Sequence, residues 1–215
     1  MNGMNAVICF LLGYLAGTVN PSYLLGRLKG VDIRKKGSGN AGGSNALILF
    51  GKTAGVLCSL FDILKAFLVI RLAEALFPDF PPSFPLTAFA VILGHIFPFH
   101  MKFRGGKGLA CLGGAILAFD WRFFLILLAA EIAVVFLTDY ICFVPTTGSL
   151  IFLIVYGRRT RDLRGVLILA AAAAAIWYRH IVNFKKIKNG TEMKFSYLWR
   201  PKEEMERITG KDDPA

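Results

Sequence analysis

Charge is scarce in this chain. Asp, Glu, Lys and Arg make up 18% of its residues, against roughly a quarter in soluble domains. Acid is scarcer still, with 14 Asp and Glu to 25 Lys and Arg and a net charge of +11. Cys9, Cys58, Cys111 and Cys142 are scattered without a C-x-x-C pair, which excludes a disulfide framework and a zinc knuckle. They read as small buried apolar side chains. His95, His100 and His180 lack metal-ligand spacing, so neither a metal nor any other cofactor is expected. The basic n-region of a secretory signal is missing, so Met1 to Leu28 reads as a retained first span. No internal duplication of the kind that builds many carriers is visible.

What remains is apolar. Of all residues 55% are hydrophobic, arranged in long runs between short polar loops. The fold class this implies is an all-α integral membrane protein of about seven transmembrane helices, several of them short. Lys and Arg gather in loops beside apolar runs. The positive excess therefore reads as the positive-inside bias and an anionic ligand, not nucleic acid.

Taken in order, Asn5 to Leu28 is long enough to cross, with Gly13-x-x-x-Gly17 for close packing and a kink at Asn20-Pro21. Lys29 to Phe50 reads as a polar loop. Gly51 to Phe77 is a second span carrying Asp62 and Lys65, which share a face at i, i+3 and can pair. Leu86 to Phe97 and Leu109 to Phe119 are half-length, with Gly-rich backbone between them. Phe123 to Leu137 is a span containing Glu131. Thr138 to Ser149 reads as irregular, Leu150 to Tyr156 as a short apolar run, and Gly165 to Tyr178 as the last helix. The rest is polar: residues 1–194 read as one domain and 195–215 as a tail. Arg158, Arg159, Arg161 and Arg164 precede that last helix and Lys185, Lys186 and Lys188 follow it. Both clusters cannot lie inside if the helix crosses, and the second is kept inside.

Two stretches are built to hold an anion. Gly94 to Gly108 (GHIFPFHMKFRGGKG) ends an apolar run in His95, stops it with Pro98, and continues into a Gly turn bearing Lys102, Arg104 and Lys107. Gly37 to Asn45 (GSGNAGGSN) follows Arg34, Lys35 and Lys36. Backbone N–H groups and cations converging in such loops cradle a phosphate, so a single site made from both is expected. Other motifs fail. Gly51-Lys52-Thr53 lacks the earlier glycine of a P-loop, Ala46 standing there, and Gly42 to Ala46 lacks the last glycine of a nucleophile elbow.

GSGNAGGSN with Gly51-Lys52 after it, then GHIFPFHMKFRGGKG, resembles the first two motifs of the bacterial acyl-phosphate:glycerol-3-phosphate acyltransferases, the PlsY type. TVNPSYLLG (Thr18 to Gly26), Asp62 to Lys65, and Arg179-His180, Asn183 and Gly190-Thr-Glu192 are also similar to that family. The likeness covers most of the chain to about Lys194. It departs at Gly43-Ser44-Asn45, where the family has a threonine for Ser44. It departs again at Tyr140 to Pro145, where Cys142 and Pro145 replace expected serines, with Thr146, Thr147 and Ser149 close by. The H-x-x-x-x-D pattern of the other large glycerolipid acyltransferase class is absent.

The resemblance implies acyl transfer from acyl phosphate to the sn-1 hydroxyl of glycerol 3-phosphate, giving lysophosphatidate and phosphate for phospholipid synthesis. It implies a multi-pass protein of the bacterial inner membrane with its site facing the cytoplasm. Functional coupling to the enzyme that makes acyl phosphate would follow. Ser38, Asn40, Ser44 and Asn45 are expected to donate to phosphate or glycerol hydroxyls. Lys107, with the Gly105 and Gly106 N–H groups, would hold a second anion, and Lys52 and Lys102 are further candidates. His95 is the candidate general base or hydroxyl-orienting group, with a capping or core role as its alternative. The donor phosphate is another possible base. His180 and Asn183 are expected to position substrate. A non-catalytic relative binding lipid or acyl phosphate, and a small-anion or lipid transporter, are the other classes considered.

Overall fold

The structure, a computed structural model, describes residues 2–209. Among them it is helical throughout, joined by short turns. Helix α1 spans Asn2–Thr18 and α2 Pro21–Leu28; α3 spans Gly43–Phe50, α4 Lys52–Leu76 and α5 Ser83–Ile96. Helix α6 is Leu109–Phe119, α7 Trp121–Thr138, α8 Val144–Thr160, α9 Leu163–Lys188 and α10 Pro201–Thr209. Five stretches have the length and apolarity to cross a membrane: 3–28, 83–101, 121–138, 141–160 and 163–188. That is fewer than the about seven expected. Helix α4 has 25 residues with Asp62 and Lys65 inside it, and α6 has only 11, about 16 Å at the helical rise.

The kink expected at Asn20-Pro21 is a full break between α1 and α2. Pro21 has no N–H to give the Gly17 carbonyl, and Tyr23 N–H goes to the Asn20 side chain at 2.8 Å instead of to Val19. Two carbonyls are orphaned, and Lys65 Nζ takes both, at 3.1 Å from Gly17 O and 2.5 Å from Val19 O. Helices α1 and α5 run close together because Gly17 faces Gly94. A Cβ on Gly17 would meet the Gly94 Cα at 3.0 Å. Ala66, Val91, Ile92, Ile96, Ala115 and Ile176 fill the centre of the bundle between α4, α5, α6 and α9.

Four segments differ from the sequence reading. Gly43 to Phe50 is a helix, not loop, because Gly42 O accepts the Ala46 N–H at 3.0 Å and starts it. Val144 to Ser149, read as irregular, is the first part of α8, where Pro145 suits an opening turn. Helix α9 runs ten residues past Tyr178, to Lys188. Residues 195–209 of the expected tail are folded against the bundle, ending in α10, and residues 210–215 lie outside the described residues. The arginines around Arg161 and the lysines around Lys186 fall at opposite ends of α9.

Candidate active site

Both Gly-rich loops lie at one end of the bundle, tied by Arg34. Its guanidinium donates to Met101 O at 2.7 Å while a bidentate pair with Asp32 holds it, at 2.9 and 2.8 Å. The same pair keeps the Asp32 carboxyl at about 2, chiefly through the Arg34 hydrogen bond. A cleft of about 350 Å³ opens here. One wall is Gly37 to Asn40; the facing wall carries Lys107, Arg179, Asn183 and Lys186, with Thr191 and Glu192 at the rim. Ile48, Val182 and Met193 supply apolar surface. Three cations against one carboxylate leave the cleft positive, as a phosphate needs. Asn40 Oδ1 is buried without a protein partner, so it is available to a ligand hydroxyl.

Lys107 Nζ donates to Asn183 Oδ1 at 2.6 Å, and Asn183 Nδ2 donates to Glu192 Oε1 at 2.5 Å. Burial pushes the Lys107 ammonium below its ordinary pKa, against the opposite pull of Glu192. His180, expected to position substrate, is buried on α9 outside the cleft lining, with Nδ1 2.7 Å from Ile176 O. A carbonyl only accepts, so Nδ1 carries a proton.

Other expected site residues are placed differently. Asn45 is fully buried and does not line the cleft. Its Nδ2 reaches the carbonyls of Ile33, Lys36 and Asn40 at 2.8, 3.0 and 3.0 Å, and its Oδ1 accepts the Ser38 N–H at 2.9 Å. It is the knot that shapes the loop. Gly105 and Gly106 cannot offer their N–H groups, which go to Ile96 O and His95 O, each at 3.0 Å. These are carbonyls at the end of α5 that would otherwise lack donors. Ser44, Lys52 and Lys102 are exposed and outside the cleft lining.

His95 is only 3% exposed and also outside that lining. Its Nδ1 lies 3.3 Å from Lys65 Nζ and 3.4 Å from Asp62 Oδ1, and Lys65 pairs with Asp62 at 2.6 Å. A Cβ on Gly106 would overlap the Nε2 side of the ring. The ring thus backs the turn that presents Lys107, and a general-base role is not supported by its place. Cys111 brings a third donor atom to within 4.8 Å of the Asp62 and His95 donors, but the Lys65 ammonium already supplies the positive charge at that carboxylate. In the stretch where serines were expected, Pro145 is built into α8. Thr147 Oγ1 lies 2.8 Å from Glu131 Oε1, and Ser149 Oγ accepts Trp177 Nε1 at 2.9 Å, so these hydroxyls serve helix packing.

The model for the family described as glycerol-3-phosphate acyltransferase matches residues 7–190. The chain belongs to that family. Among similar members is a glycerol-3-phosphate acyltransferase of Thermotoga petrophila, 38% identical over 196 residues, which cover 88% of this chain and 96% of that one. Glycerol-3-phosphate acyltransferase 1 of Oceanobacillus iheyensis is 37% identical over 210 residues, covering 93% and 99%. The crystal structure of PlsY, an integral membrane glycerol 3-phosphate acyltransferase, in its glycerol 3-phosphate form superposes with a TM-score of 0.81 at 30% identity. That match covers 90% of this chain and 96% of PlsY. Its lysophosphatidic acid form gives 0.79 at 27% identity. The protein is an integral membrane acyltransferase by family.

Arg179, Lys186 and Glu192 were not singled out as site residues. A signal was present: 179, 183 and 186 fall at i, i+4 and i+7, one face of a helix. It was hidden by ending the helix at Tyr178.

Proposed function

We propose that the protein moves a fatty acyl group from acyl phosphate to the sn-1 hydroxyl of glycerol 3-phosphate, releasing lysophosphatidate and inorganic phosphate. The observation that carries this reading is the cleft itself, where Lys107, Arg179 and Lys186 face Ser38 and Asn40 beside apolar surface. A family relative crystallised with glycerol 3-phosphate and with lysophosphatidic acid supports it. In this scheme the three cations hold phosphate, and Ser38 and Asn40 hold the glycerol hydroxyls. Asn183 orients Lys107, and His180, buried one turn before it on α9, backs that wall of the cleft. The hydroxyl oxygen bonds to the acyl carbon, the acyl–phosphate C–O bond breaks, and the leaving phosphate takes the proton. An acyl phosphate is already activated, so no protein nucleophile is required. His95 acts through the turn it backs.

The cleft end carries Arg34 to Lys36, Lys102 to Lys107 and the lysines after Asn183. The positive-inside bias supports placing it in the cytoplasm of a bacterial cell, the chain sitting in the inner membrane. The donor would come from an enzyme that makes acyl phosphate. The test is phosphate release from acyl phosphate and glycerol 3-phosphate by the purified protein, expected with acyl phosphate and absent with acyl-CoA. Robust acyl-CoA turnover with acyl phosphate inert would overturn the donor. Cys142 and Pro145 favour a second reading, a relative that binds both substrates without reacting them. Binding without phosphate release, unchanged after serine is restored at both positions, is the result that selects it.

A further inference from the structure

Past Gly190 the chain doubles back over the end of α9. The N–H groups of Thr191 and Glu192 both reach Lys186 O, at 2.8 and 3.2 Å. Phe195 N–H then bonds to Asp139 O, and Ser196 N–H to the Asp139 carboxylate, each at 2.8 Å, anchoring the strap to the end of α7. Helix α10 closes it. The Arg207 guanidinium donates to the carbonyls of Gly190 and Glu192, on either side of Thr191, and pairs with Glu204. Glu204 also accepts the Lys194 N–H at 2.7 Å.

While its backbone is gripped by Arg207, the Glu192 side chain accepts from the Asn183 amide. A carboxylate only accepts, so the amide nitrogen faces Glu192 and the amide oxygen faces Lys107. The ammonium only donates, so it keeps the amide oxygen toward itself; with no acceptor at position 192 the amide loses its second anchor and can swing away from Lys107. Glu192 therefore holds the amide in place, and the amide fixes the direction of Lys107.

We propose that Arg207 and Glu192 are positioning residues for Lys107, acting in series through Asn183, so that α10 is part of the site. The inference rests on reading the cleft as the site for the phosphate of glycerol 3-phosphate. Helix α10 also closes the cleft directly, since Met205 and Ile208 line it.

The test uses the purified full-length protein in detergent. Dissociation constants for glycerol 3-phosphate and inorganic phosphate are measured by calorimetry, beside kcat, KM and Tm. Arg207→Ala and Glu192→Ala should each weaken glycerol 3-phosphate binding by about tenfold, and the double variant should be no worse than either, as for residues on one chain of contacts. KM should rise with kcat little changed. Glu192→Gln keeps an acceptor for Asn183 and should stay close to wild type. Arg200→Ala, an exposed arginine on the approach to α10, should leave affinity unchanged. Losses that add in the double variant, or a fall in Tm with affinity intact, overturn the proposal. So does tighter phosphate binding by Glu192→Ala, which would make Glu192 merely a repelling charge. If Arg207→Ala does not fold, the comparison of Glu192→Ala with Glu192→Gln decides. Wild-type protein that shows this pattern in binding but releases no phosphate from acyl phosphate refutes the donor reading alone. Wild-type protein that binds neither anion refutes both.

Discussion

Replacing Lys107 by Ala removes the best-placed cation of the cleft. Its ammonium carries three hydrogens; one goes to Asn183 at 2.6 Å, leaving others to meet an anion. A charge-assisted contact of this kind contributes about 1.5–3 kcal/mol, so kcat/KM should fall by about 10- to 100-fold. The pH profile sharpens the test. Binding needs the protonated amine, and burial lowers the Lys107 pKa. Its charge is therefore lost at a lower pH than the about 10.4 of a free lysine, and KM for glycerol 3-phosphate should rise correspondingly early on the alkaline side. In Lys107→Arg the guanidinium stays charged and this rise should vanish. Activity at neutral pH should still stay below wild type, because a planar fork does not replace a point charge between Gly106 and Gly108. The assay is steady-state phosphate release with glycerol 3-phosphate varied at each pH. Unchanged kinetics in the Ala variant would move the anion site elsewhere, and an alkaline rise that survives in the Arg variant would belong to another group.

Asp62→Asn leaves the Lys65 ammonium buried without its counter-charge, a loss of about 3–5 kcal/mol that a thermal melt in detergent should register. Adding Lys65→Met should not restore wild-type stability, since Lys65 also serves two backbone carbonyls; full recovery would contradict that role. Gly106→Ala sets a methyl on the His95 ring and should cost both stability and turnover, whereas an unaffected variant would show the turn to be slack. His95→Gln should lower kcat by less than the about 10²-fold typical of losing a general base. A loss that large, with glycerol 3-phosphate binding intact, would return the proton-transfer role to His95.

Much of the fold was legible because lipid demands long apolar runs, and such runs end at Pro and Gly. The kink at Asn20-Pro21, which proved a full break, the stop at Pro98 and the bounds of α6 were read this way. Where a helix needs no lipid contact the signal fades. Helix α3 follows a Gly-rich loop with only Ala46 to Phe50 apolar, and α8 opens with Val, Pro, Thr, Thr, Gly and Ser. In α8, Thr146 and Thr147 bond back to Phe143 O at 2.7 and 2.9 Å, so residues typical of loops fit an opening turn. The polar last turns of α9 looked like a tail because they form a wall of the cleft. At the site, both loops and Lys107 were visible in the residues, but which N–H groups were free was not. Gly105 and Gly106 look like anion donors until the carbonyls at the end of α5 are accounted for. Asn45 likewise looks like a ligand until its four loop bonds are counted.

The break between α1 and α2 bears on the order in which the chain can assemble. Gly17 and Val19 hand their carbonyls to a lysine that is translated more than forty residues later. A nascent chain that has inserted only its first span has no donor for either oxygen, and water or headgroups must serve until α4 arrives. The bent first span is thus a late product of biogenesis. A fragment ending before Lys52 should leave its α2 half at the membrane surface, and should take the final bend only when α4 is supplied, even as a separate piece.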